Sequence, residues 1–158
     1  MKLKLNEKVM YTGHGIGIVT NIGTKTIDKK AIEFFTIEIV NSGLKIMVPA
    51  NHVESLPVRK IASKNEVLNT MSNLSTNARR YHNGWIMRSL ELKNLLQSGQ
   101  FKDNCEVYRH LLEISRKGSL SFGEIKLLDV VKPLVINEMA LACDMHKDKA
   151  EEMINEKI

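Results

Sequence analysis

The feature that most constrains this chain is a change of hydrophobic period near residue 60. Up to that point the apolar residues come in short β-branched runs broken by turn residues. Lys8 to Tyr11 is a short strand candidate. Tyr11-Thr-Gly-His-Gly15 is a glycine-punctuated bend, and Ile16 to Ile22 after it is β-branched and mostly apolar. Ile32 to Val40 is the clearest strand. Asn41-Ser-Gly43 is a turn, and Leu44 to Val48 is a further strand that Pro49 ends. Four or five short strands with tight turns predict a small barrel of SH3 or Tudor type.

From about Ser63 the period becomes helical. The spacing predicts helices over Lys64–Leu74, Trp85–Gln97 and Phe101–Lys117. Phe101, Cys105, Tyr108 and Leu112 make one apolar stripe on the third. Ser121-Phe-Gly-Glu124 is a capping box that opens a helix reaching about Asp144, with Leu128, Val131, Val135 and Met139 along one face. Pro133 inside it is expected to kink the helix or mark a restart. Lys147 to Lys157 is a last short amphipathic segment. Met71, Met87, Met139, Met145 and Met153 fall in this half and are expected to fill gaps in its core. The predicted class is α+β: a small Tudor/SH3-like β-barrel over 1–60, then a compact all-α domain over 61–158.

No run approaches the roughly 18 apolar residues of a membrane span. The start, Met1 to Asn6, lacks the apolar run and cleavage site of a secretory signal. Only Cys105 and Cys143 are present, too few for a disulfide framework, so a cytoplasmic protein is expected. The formal net charge is +5 over 158 residues. It is uneven: residues 1–60 carry +4, 61–100 carry +3 and 101–158 carry −2. A polyanion would therefore meet the first two regions.

Catalytic chemistry has little support. None of the five histidines pairs at ligand spacing. Cys143 and His146 are three apart, but no second pair completes a metal site. Gly13-His-Gly-Ile-Gly17 lacks the GxGxxG spacing and joins two strand candidates instead of opening a helix, so the support for a nucleotide loop is weak. No enzyme, metal or cofactor is expected. The suggestive region is the middle, where Arg79, Arg80, Tyr81, His82, Trp85 and Arg88 interleave basic and aromatic groups. Glu91 is the only acid between Glu66 and Asp103. An aromatic wedge at a distorted base step, held by arginines on phosphates, suits such a run. The competing expectation is a protein-only adaptor whose barrel binds a partner and whose Trp85 is core.

These residues, in this order, resemble the CarD/CdnL group of bacterial transcription regulators, whose N-terminal module also occurs in transcription-repair coupling factor. The likeness rests on Val9-Met-Tyr11, His14-Gly15, Gly17, Phe35-Thr-Ile37, Val48-Pro49 and Val58-Arg59 in the first half. In the second it rests on Trp85-Ile-Met-Arg88, Ser98-Gly99, Leu120-Ser121, Gly123-Glu124 and Glu138-Met-Ala-Leu-Ala142. The resemblance implies a Tudor-like domain that binds the RNA polymerase β subunit near Lys25, Thr26, Ile27 and Met47. It implies a helical domain on promoter DNA at the upstream edge of the bubble, stabilising the open complex. Trp85 would wedge into the minor groove at the fork junction, supported by Arg88, with Arg79, Arg80 and Lys126 as further DNA contacts. Met47, Met87, Leu90 and Ile125 stand where relatives can carry basic residues. A monomer with no membrane partner is expected.

Overall fold

The computed structural model describes residues 2–74 and 81–158. The chain divides into two compact units, Met1–Ile61 and Ala62–Ile158.

The first unit is a five-stranded antiparallel sheet: β1 (Lys8–Tyr11), β2 (Gly15–Ile27), β3 (Lys30–Ile39), β4 (Lys45–Pro49) and β5 (Val58–Lys60). The order across the sheet is β4-β3-β2-β1-β5, so β1 to β4 form a meander. A short 3-10 turn over Ala50–Ser55 then leads β5 back onto β1. Val9, Val19, Phe35, Ile37, Ile39 and Val48 point from their strands into one core, which Leu3, ahead of β1, helps to close. Gly17 lies where the backbone meets that core. A Cβ there would fall 2.5 Å from Ile37 Cγ2.

β2 and β3 run further than the sequence pattern suggests, which ended the second strand at Ile22. Beyond Val19 a bulge interrupts the β2–β3 register, and Asn21–Ile27 pair only with Lys30–Thr36 of β3. The tip turns on Asp28 and Lys29, both at positive φ (50° and 63°), the left-handed pair that a two-residue hairpin requires. This ribbon has almost no burial pattern, because hydrogen bonding rather than a core face holds it.

The second unit has five helices: α1 (Lys64–Asn73), α2 (Trp85–Gln97), α3 (Phe101–Lys117), α4 (Phe122–Ala142) and α5 (Lys147–Lys157). Capping boxes at Ser63/Glu66 and Ser121/Glu124 start α1 and α4. The expected stripes on α3 and α4 face a common core with Met71, Leu92, Ala150 and Ile154. The buried Glu138 carboxylate accepts from the Ala62 amide at 2.9 Å and fixes the entry to α1. Helix α4 does not restart at Pro133. The proline and Asp129, whose carbonyl loses its partner, both lie on the exposed face, where water can satisfy that carbonyl. Met87 is not core: it is 49% exposed, whereas Met71 and Met139 are buried. Among the described residues, no helix is long and apolar enough to cross a membrane.

Gly17→Ala tests the close approach in the sheet. Ile37 is β-branched and fully buried, so it cannot move aside cheaply. The substitution is expected to lower stability by about 1–3 kcal/mol, read as a lower denaturant midpoint with an unchanged slope.

Candidate nucleic-acid interface

Helix α2 begins at Gly84 without a side-chain cap. The Gly84 amide itself donates to His82 Nδ1 at 3.0 Å, which turns the chain into the helix. The first residues are all exposed: Trp85 at 62%, Ile86 at 58% and Met87 at 49%. Trp85 is therefore not core, and the adaptor expectation fails on that point. Leu92, one turn and a half further on, is the first fully buried residue of the helix. The helix thus offers its N-terminal turn to solvent and anchors itself from its middle.

The anchor is polar. Arg88 Nη2 lies 3.2 Å from Glu124 Oε2, and both side chains are largely buried. Glu124 is also the N3 residue of the α4 capping box, accepting from the Ser121 amide at 3.1 Å. Burial pushes the Glu124 carboxyl up, but the Ser121 hydrogen bonds and the Arg88 charge outweigh it and hold the group below its ordinary value. Arg88 therefore enters the structure first as a strut between α2 and α4.

Below α2 lies a second cluster. The Tyr81 and His110 rings are 4.1 Å apart, and the Tyr81 hydroxyl donates to Glu106 Oε1 at 3.2 Å. Arg109 is 2% exposed and pairs with Glu106 and with Glu113, the latter at 2.7 Å. His110 Nε2 is buried with no hydrogen-bond partner among the described residues. Burial, then the charges of Arg109 and Arg88, push the imidazole below its ordinary value, so it is held neutral.

Helix α4 adds a further exposed group at its start. Phe122 is 74% exposed and Ile125 46%. Lys126 Nζ sits over the Phe122 ring, 4.5 Å from its centroid. Sequence reading singled out Lys126 but missed Phe122. The available signal was that Phe122 lies off the apolar stripe of α4. Arg79 and Arg80 lie outside the described residues.

In the sheet unit, Lys25, Thr26 and Ile27 occupy the β2 side of the projecting ribbon, and Met47 lies on the edge strand β4. The structure brings two of them together: Lys25 Nζ is 3.8 Å from Met47 Sδ, and it also lies 6.0 Å from the Phe34 ring centroid. Thr26 and Ile27 continue towards the tip. His14 packs edge-on to Tyr11 at 5.3 Å, a turn-packing arrangement. Among the described residues no group of three or more His, Cys, Asp or Glu could hold a metal ion.

Residues 66–155 match the family described as CarD, C-terminal domain, and residues 3–62 match the CarD-like/TRCF RID domain. The chain belongs to the CarD family. It is 21% identical over 136 residues to YdeB of Bacillus subtilis (strain 168), named as a candidate transcription factor. That alignment covers 86% of this chain and 89% of the relative. The solved structure of CdnLNt from Myxococcus xanthus is 32% identical, with a TM-score of 0.34, over 40% of this chain and 89% of that one. The two family matches make the chain a CarD-family transcription factor, and its architecture is the α+β one expected, a small antiparallel sheet unit followed by helices.

The polar floor under α2 makes the helical unit acid-sensitive in two stages. His110 titrates below its ordinary 6.5 in the fold, so the unfolded chain takes up the proton first and stability falls as pH drops through that window. Glu124 acts with the same sign lower down: its contribution is present above about 4.5 and is lost as pH falls through the depressed folded value. Denaturant midpoints measured from pH 7 to pH 3 should show both stages. His110→Asn should remove the upper one and Glu124→Gln the lower.

Proposed function

We propose that this transcription factor couples RNA polymerase to the upstream edge of the promoter bubble and stabilises the open complex. The sheet unit, residues 1–60, binds the polymerase β subunit. Its surface is the ribbon with Lys25, Thr26 and Ile27 and the edge strand with Met47. An unpaired ribbon edge suits strand addition, which draws affinity from main-chain hydrogen bonds. The helical unit, residues 61–158, binds promoter DNA. Trp85 enters the minor groove at the fork junction as a wedge, with Lys126, Arg79 and Arg80 on phosphates. Arg88 supports the wedge by holding α2 against α4, and what remains of its exposed surface faces the DNA.

The observation that carries this reading is the exposure of Trp85 on a firmly held helix. A large aromatic kept in water, followed by Ile86 and Met87, marks a surface that a partner covers. The family match supplies the class of partner, the transcription machinery. The mechanism is differential binding: a wedge that meets only the opened junction shifts the equilibrium towards it.

Trp85→Ala is the direct test, because truncating an exposed side chain leaves the fold intact. It should shorten the lifetime of open complexes formed with the full chain by about ten-fold, as expected for one lost base–aromatic stack. Binding to polymerase in the absence of DNA should not change. An unaltered lifetime would sink the wedge.

A further inference from the structure

Two helices of the second unit start at one place. Trp85 is the first residue of α2 and Phe122 the first residue of α4. The Arg88–Glu124 pair, at 3.2 Å, ties α2 to α4 within one turn of both starts. Helix rise is about 1.5 Å per residue, so each aromatic stands only about 3–5 Å along its axis from that tie. Packed helices are about 8–10 Å apart, so the two aromatics share one end of the unit. Phe122 has the largest exposure of any big apolar side chain described, 74%, and nothing in the fold requires it there.

The surroundings favour a polyanion with accessible π faces over an apolar protein. In segments 81–90 and 118–128 the only acid is Glu124, which is buried against Arg88. The positive ends of both helices lie within a turn of the Arg88–Glu124 pair. Among the described residues the charges left near these two starts are Lys126, held over the Phe122 ring, and Glu91, whose Oε1 lies 3.4 Å from the His82 amide. Among the described residues that is too little positive charge for a phosphate-reading surface, and the area is otherwise aromatic and aliphatic. That mixture is the chemistry of base stacking with one backbone contact.

We propose that Phe122 is a second stacking platform, which takes an unpaired base of the melted strand beside the Trp85 wedge while Lys126 meets the adjacent phosphate. This deepens the reading of the site as a fork-junction contact and rests on it. The ligand is a single-stranded nucleotide, not duplex groove.

The test uses the full chain with polymerase and a promoter template. An abasic nucleotide is walked through the unpaired positions at the upstream edge. On the intact template, Phe122→Ala should shorten open-complex lifetime several-fold, up to about ten-fold. Phe122→Tyr, which keeps a π face, should restore it. At one abasic position Phe122→Ala should cause no further loss. The proposal is overturned if Phe122→Ala has no effect, if its effect is the same on every template, or if it weakens polymerase binding without DNA. Trp85→Ala keeps the two readings apart. If it shortens the lifetime and Phe122→Ala does not, the second platform fails and the wedge stands. If neither does, the fork-junction reading itself fails.

Discussion

Glu124 meets several demands at once, and the end of the helical unit that carries Trp85 and Phe122 depends on how it meets them. Its carboxylate accepts from the Ser121 amide, which completes the start of α4, and it faces Arg88, which fixes the start of α2. Neither partner alone would suffice. A buried arginine without a counter-charge is strongly destabilising, and a buried carboxylate without donors would take up a proton. Together they hold two helix starts side by side using polar groups, so the apolar side chains nearby are not needed for cohesion. Trp85, Ile86, Met87, Phe122 and Ile125 can therefore stay in water. In an ordinary helix packed by its apolar stripe those side chains would be drawn into the core. The polar strut is what lets the surface be apolar and rigid together.

The same logic explains the low net charge. A free DNA-binding domain needs many phosphate contacts to bind at physiological salt. A factor that is also held on polymerase has a high local concentration at the junction, so a few contacts are enough. In the proposed reading the ribbon of the sheet unit provides that hold. Its geometry suits the task, since Asn21–Ile27 lack a partner on the β1 side and retain their main-chain groups for another strand. The same feature would invite aggregation in an unguarded sheet. The lysines at positions 25, 29 and 30 are the usual guard, because charge discourages edge-to-edge pairing of identical copies.

Much of the architecture was legible because its punctuation is local. Gly99 after α2, the Ser121–Glu124 box and the change of period near residue 60 can each be read within a few residues, and the ends of α2, α3 and α5 followed. The ribbon beyond Ile22 was not legible. Its residues are polar and exposed on both faces, so no alternation betrays a strand, and the turn at Asp28-Lys29 lacks the glycine that normally signals one. Pro133 reads locally as a break, and its place off the apolar stripe of α4, where water can satisfy the Asp129 carbonyl, is what spares the helix. At the site, Trp85 could be picked out by its basic neighbours, but the role of Arg88 could not. Its partner is 36 positions away, and nothing in local spacing joins a first-turn arginine to a capping glutamate. Phe122 was passed over for the opposite reason: inside a capping box it reads as filler between two functional residues.

In the proposed reading, what the site recognises follows from which contacts differ between closed and open promoter. A bound factor shifts an equilibrium only by its difference in affinity for the two states. Backbone phosphates are present in both, so arginines and lysines on them mainly raise binding overall. Unstacked bases and a widened junction exist only in the open state, so aromatic contacts to them contribute almost wholly to the shift. In the proposed reading the apolar residues at 87, 90 and 125 move this chain along that axis. They reduce the contribution common to both states and leave the one that discriminates. In the proposed reading Met87, Leu90 and Ile125 keep the charge of that surface low, and the polymerase contact supplies the affinity that further phosphate contacts would add.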